Sequence, residues 1–308
     1  MKKNKLLLIV ILVILAVLYV ILRLGRPEEK LRPVFGLDSL AVKSIEIFDA
    51  ADSLKLEKEK GVWFLTQPVH WQADTLKVNP LSQKVLTAKY PLTPMGTGSE
   101  AIKRFSLQDK EALHMVVSGN GKRIHVLFSN LGNPYDYFRF AGSDQIYQIK
   151  AKVVNTFTTD LPMWRSPHVV SYYEDELLKI NITRQNNTAT FTRKDFDWFY
   201  QDKRLNFQIP RNNIAMTKLV NILSNLDTYV FVDKAKPELL EKFKTPEITV
   251  QLILTENRTQ ELKFTKYDST QYMMMVDNDP NVLFIVSTDT VYRFNRSGDV
   301  FKIKGYGI

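Results

Sequence analysis

Apolar and polar residues alternate with a period of two in short runs that return along the chain. Ile45 and Ile47 begin one run, and Leu54-Lys55-Leu56-Glu57-Lys58 is the next. Lys60-Gly61 then makes a turn, and Val62-Trp63-Phe64-Leu65 gives a third run. A period of two puts successive side chains on opposite faces, which predicts half-buried strands. Three such strands with short connections predict an antiparallel meander. The whole stretch Lys43–Leu65 recurs as Leu178–Tyr200 without a gap. Ile45 falls on Ile180, Ile47 on Ile182, Trp63 on Trp198 and Phe64 on Phe199. The chain therefore carries an internal duplication.

The order of elements repeats with it. After the first meander, Asn79-Pro80 has the form of a helix start, with Asn as N-cap and Pro at the first helical position. Leu81, Val85 and Leu86 follow as one apolar face. The second copy has a clearer stripe in Met216, Leu219, Val220, Leu223 and Leu226. A second short helix is expected at Ser99–Phe105 and again at Lys236–Phe243. Two hairpins follow in each copy, and each copy is expected to close on a short helix, Ala151–Phe157 or Asp289–Asn295. Trp63 and Trp198 end the third strand of their copies, where the expectation is that they fill the core between sheet and helix. The fold class is α+β: an N-terminal transmembrane helix followed by two similar antiparallel-sheet-plus-helix repeats. The expected domains are a signal anchor at 1–26, a juxtamembrane linker at 27–35, a first repeat at 36–160, a link at 161–171 and a second repeat at 172–308. Leu161–Pro167, bounded by prolines, reads as a fixed, extended connection.

Leu6–Leu22 is an unbroken apolar run with no Gly, Pro or charge. As a helix it spans roughly 26 Å, close to the hydrocarbon thickness of a bilayer. It exceeds the usual hydrophobic region of a cleaved signal peptide, and RLGRPEEK after it offers no small-residue cleavage site. It is read as an uncleaved anchor. Lys and Arg nearly balance on its two sides, so orientation rests on the short N-terminal tail, which places the tail inside and the body outside the cytoplasm. The expected topology is a single membrane crossing with the body extracytoplasmic.

The formal net charge of +9 changes this picture little, because Lys2, Lys3, Lys5, Arg23 and Arg26 flank the anchor. The body mixes Lys with Glu, and no dense basic block of the kind that grips phosphate backbones is present, so nucleic acid is not an expected partner. The absence of cysteine excludes disulfides, thiolate metal sites and a cysteine nucleophile.

Candidate chemistry is sparse. His70, His114, His125 and His168 have no metal-ligand spacing, although His114 and His125 fall in adjacent strands of one predicted hairpin and are expected close together on one face. Asp277-Asn278-Asp279-Pro280-Asn281 has some calcium-loop residues but lacks the sharp-turn Gly and the distal Glu, and reads as a hairpin turn. Tyr172-Tyr173-Glu174-Asp175-Glu176 is an acidic, aromatic lead-in to the second copy, and Met273-Met274-Met275 is an apolar strand. No GxSxG, Walker A, GxGxxG or HExxH motif occurs. The chain is read as non-enzymatic, with no catalytic, cofactor-binding or metal-binding residue assigned and no cofactor expected.

At WFLTQPVHWQADTLKVNPLSQKVL the sequence resembles a bacterial family, domain of unknown function 4340 (DUF4340). Trp63, Pro68, Ala73-Asp74, Val78-Asn79 and Leu81–Leu86 carry the resemblance, with FSL and WRSPHVV downstream. The second copy keeps Trp198 and replaces the Pro and Ala-Asp with DKRLNFQ. The resemblance implies a single N-terminal span and a cell-envelope accessory or scaffold protein with envelope protein partners, in the company of ABC-type transport or gliding-related components. The alternative is an extracytoplasmic binding module that holds a glycan, lipid or peptide in the cleft between the repeats.

Overall fold

The computed structural model describes residues 11–20, 30–129, 135–185 and 187–303. The expected anchor lies only partly within them: residues 11–20 are helical and exposed, and the rest of Leu6–Leu22 is outside the described residues. Among the described residues no helix is long and apolar enough to cross a membrane.

The duplication is complete at the level of topology. The first half contributes β1 (Leu31–Pro33), β2 (Val42–Phe48), β3 (Ser53–Glu59), β4 (Val62–Gln67), β5 (Trp71–Gln72) and β6 (Lys89–Pro91). It continues with β7 (Gly96–Thr97), β8 (Leu113–Gly119), β9 (Lys122–Phe128), β10 (Tyr137–Phe140) and β11 (Gln145–Gln148). The second half contributes β12 (His168–Ser171), β13 (Leu177–Arg184), β14 (Asn187–Lys194), β15 (Asp197–Gln201), β16 (Asn206–Gln208) and β17 (Asn225–Asp227). It ends with β18 (Phe231–Asp233), β19 (Ile248–Leu254), β20 (Thr259–Lys266), β21 (Gln271–Val276) and β22 (Val282–Ser287). The first large sheet has the order β5-β4-β3-β2-β8-β9-β10-β11-β7, and the second has β16-β15-β14-β13-β19-β20-β21-β22-β18. The two orders correspond strand for strand, as do the small sheets β1-β6 and β12-β17. Even the irregularity is copied. The register shifts between Val42 and Ser44 in β2 and between Leu177 and Lys179 in β13, at matching positions of the repeat.

The reason is visible in the buried faces. Ile45, Ile47, Leu54, Leu56 and Leu65 are buried, and so are their counterparts Ile180, Ile182, Ala189, Phe191 and Tyr200. The sequence keeps the period and the apolar character while changing the volumes, which preserves register. Turn chemistry agrees: Lys60-Gly61 and Asn120-Gly121 both take positive φ, as two-residue hairpins require.

Contacts divide the chain into two units, Met1–Ala51 with Pro80–Thr158, and Asp52–Asn79 with Thr159–Ile308. In the first, Leu107, Ala112, Leu127 and Ile146 form a cluster under Ala101, Ile102 and Phe105 of the short helical segment. In the second, Phe243, Met273, Met275, Leu283 and Ile285 form the matching cluster, and Met274 points to the opposite core. The Met strand is thus core on both faces.

Several local expectations are corrected. The first helix starts at Thr75, not at Pro80, because Asp74 caps it: its carboxylate accepts from Leu76 N–H at 2.8 Å and its carbonyl from Val78 N–H at 3.0 Å. Pro80, lacking an N–H, ends that helix, and Leu81–Val85 continues as a π-helical turn with Leu86 N–H bonded to Leu81 O at 3.2 Å. Leu31–Pro33, expected in the linker, pairs with Lys89–Pro91. The connection Leu161–Pro167 is not extended throughout. Leu161–Trp164 is a 3-10 turn that sets Trp164 at 1% exposure. The first copy closes on a 3-10 turn, Val154–Thr156, whereas the second has the expected helix at Thr288–Phe294. Trp63 and Trp198 are half-buried; Trp198 packs against the second unit's core as expected, while Leu65 and Tyr200, two residues on and on the same face, are the fully buried ones.

Candidate functional site

One recess belongs to the second unit and joins residues of both copies. The turn after β4 contributes Pro68, Val69 and His70. The segment after β18 contributes Lys234, Ala235 and Leu240, and the β21–β22 turn contributes Asp279–Val282. Together they enclose about 440 Å³. The interior is mainly Pro, Val, Ala and Leu, with His70, Lys234, Asp279 and Asn281 as the polar groups, the general composition of a ligand recess.

Its first-copy wall is held by neighbours. His70 Nε2 is 3.1 Å from Glu59 Oε1, and its ring stacks on Phe64 at 5.3 Å. Trp71 donates its indole N–H to Ser166 O at 2.9 Å and packs on Phe284 at 5.1 Å. Arg165 is fully buried, lies over the Phe231 ring at 4.6 Å and pairs with Asp233 at 2.5 Å. Asp279 is occupied within its own turn, accepting from Asn281 N–H at 2.9 Å and from Asn281 Nδ2 at 2.7 Å. Among the described residues the lining contains no Ser, Thr or Cys, and His70 is oriented by Glu59.

A smaller recess of about 210 Å³ lies beside Trp198, between the β14–β15 turn and the start of the Ile214–Ser224 helix. Phe196, at 80% exposure, stands at its rim. Arg211 crosses the rim and makes a two-pronged pair with Asp197, at 2.6 and 3.1 Å. That pair holds the Asp197 carboxyl below its ordinary value.

The other singled-out residues have structural partners. His114 and His125 do meet, Nδ1 to Nε2, at 2.9 Å. His168 bonds Asp227 across β12 and β17 at 2.6 Å. Asp277 and Asn278 form the β21–β22 turn with positive φ, tied to Glu261 through its N–H and its carboxylate. Glu176 closes a capping turn on Tyr173 N–H at 2.7 Å and pairs with Arg258. Among the described residues, no group of three or more His, Asp or Glu is placed to hold a metal ion. Trp71, Arg165 and Ser166 fall within the segments that carry the family resemblance, but nothing in those segments announces the Arg165–Asp233 pair or the bond from Trp71 to Ser166. Their partners lie far apart in sequence and no periodicity links them.

A family model described as domain of unknown function (DUF4340) matches residues 63–242. The chain belongs to the DUF4340 family. The DUF4340 segment begins at Trp63 and supplies Pro68–His70, Lys234, Ala235 and Leu240 of the larger recess, while Asp279–Val282 lies beyond it. No curated protein and no solved structure matches the chain.

Proposed function

We propose that this DUF4340 protein is a non-enzymatic accessory or scaffold protein of the bacterial cell envelope. It is anchored once in the inner membrane by Leu6–Leu22, holds its body outside the cytoplasm, and works beside an ABC-type transport or gliding-related complex. The observation that carries the reading is the 440 Å³ recess. It is mainly apolar inside, polar at a few points, and braced by Trp71 and Arg165. Such a surface suits recognition of a partner segment. The same observation supports the second reading, a binding module for a glycan, lipid or peptide, since the recess is built from both copies.

A photo-crosslinking residue at Val69 or Leu240 of the full chain, activated in cells, tests both. Recovery of a defined membrane or envelope protein supports the scaffold, and a lipid- or glycan-modified monomer supports the binding module. An unmodified monomer from both sites counts against each. A reporter fused after residue 308 tests the topology, and activity confined to the cytoplasm would overturn it.

A further inference from the structure

The His114–His125 pair is the most unusual titratable cluster outside the recesses. His114 lies on β8 and His125 on β9, and register places Val116 opposite His125, so the rings meet diagonally on one face. His114 Nε2 is 2.7 Å from the carbonyl oxygen of Asp109. A carbonyl only accepts, so this nitrogen carries the hydrogen and His114 Nδ1 presents a lone pair. His125 Nε2, 2.9 Å from that lone pair, is therefore the donor, which leaves its Nδ1 bare. Both tautomers follow from one backbone carbonyl.

The surroundings fix the consequence. Phe48 on β2 stacks on His114 at 4.5 Å and leans on His125 at 5.7 Å. Arg139 on β10 donates to Leu107 O at 2.7 Å and Ser143 O at 3.2 Å, and pairs with the Asp109 carboxylate. Arg123 on β9 pairs with Glu46 on β2 at 3.3 Å. The loop from Leu107 to Asp109 is thus tied to the sheet by His114 and Arg139 together.

We propose that His114 and His125 form a proton-sensitive latch. It accepts one proton without rearranging and opens on the second, releasing the Leu107–Asp109 loop. The first proton enters at His125 Nδ1 and leaves His125 Nε2–H still donating to His114. A second would have to sit on His114 Nδ1, where two N–H groups and two charges would face each other beside Arg139 and Arg123. Burial, then the His114 ring and Arg123, hold His125 below the ordinary histidine value. A depressed histidine favours the neutral folded form. Its contribution to stability is full above about pH 6.5 and is lost as pH falls through and below that value.

Ring-nitrogen NMR on the full chain in detergent micelles tests this, because only four histidines contribute. Near neutral pH, His114 and His125 should both show the Nε2–H tautomer, and acidification should first move only the His125 signals. Amide exchange in Leu107–Asp109, corrected for intrinsic rates, should then rise about tenfold or more at the second step. His125→Gln keeps an N–H donor and removes the first step, and His114→Gln should give loop exchange independent of pH. An Nδ1–H tautomer at His114, simultaneous independent titration of the two rings, or loop exchange unaffected by acid would overturn the latch. The wild-type spectra decide the point even where a variant fails to fold.

Discussion

Trp71, in the last strand of the first copy's meander, donates its indole N–H to Ser166 at the start of the second half, and its ring rests on Phe284 of β22. One side chain therefore stitches segments from both copies into the second unit. Trp71→Ala should destabilise that unit by about 2–3 kcal/mol, less than the usual core value because the ring is only half-buried. Trp71→Phe retains most of the packing and loses the bond to Ser166, so about 1 kcal/mol is expected. Urea unfolding of the two variants should separate the contributions. Equal losses would show that the hydrogen bond, not the ring, holds the segments.

The two copies cap their main helix with different residues. Asp74 does so in the first. In the second, Asn213 accepts from Met216 N–H at 2.8 Å, while its Nδ2 donates to Val300 O at 3.0 Å and Ile303 O at 2.8 Å. Asn213 is buried, so its cap bond to Met216 is shielded from water, and the two bonds to Val300 and Ile303 are partly so. Asn213→Asp keeps the cap but turns an oxygen toward two carbonyls. It should cost more than Asp74→Asn, whose expected effect is within about 0.5–1 kcal/mol. Thermal melts of both variants at neutral pH check the order.

The repeat was legible because strand formation depends on a local period that survives changes of volume: Leu56 becomes Phe191, Leu65 becomes Tyr200, and the face stays the same. What the sequence concealed is mostly the product of long-range choice. Two cap signals compete within a few residues, Asp74-Thr75 and Asn79-Pro80. The first wins because Asp74 N–H is already fixed on Trp164 O at 2.8 Å, a contact no local pattern announces. The proline-bounded connection reads as extended until burial of Trp164 bends it into a turn. The larger recess was equally hidden, since its walls come from a first-copy turn and two separate second-copy segments. The histidine pair was readable because adjacent strands of a hairpin place neighbours predictably.

Arg211 and Asp197 offer a pH test at the rim of the smaller recess. The hydrogen bonds from Arg211 are the main cause of the lowered Asp197 carboxyl. A carboxyl depressed in the folded state stabilises it above the unfolded value, near pH 4, and that contribution is lost as pH falls through the folded value. Arg211→Gln should return the Asp197 carboxyl toward its ordinary value by carbon NMR titration. Neutral-pH stability should change little, because the pair lies at the surface with its Arg211 side largely solvated. An unmoved Asp197 titration would assign the depression to another neighbour.

Gly298 lies directly against Tyr200, a position that differs between the copies. A Cβ added there would lie 2.5–2.7 Å from the Tyr200 ring and hydroxyl, too close for any side chain. Tyr200 cannot retreat easily, because Phe191, Phe207 and Phe301 surround it at 5.2, 5.2 and 5.8 Å. Gly298→Ala should therefore cost about 1–3 kcal/mol by overpacking. The matching position of the first copy holds Leu65, which lacks the ring atoms that clash. In a Tyr200→Leu background the methyl group of Gly298→Ala has room, so the double variant should be more stable than the sum of the singles. A coupling of about 0.5–3 kcal/mol is expected from a double-mutant cycle by urea unfolding. Simple additivity would mean that the 298–302 turn yields instead, and that the ring of Tyr200 does not set how closely that turn approaches the sheet.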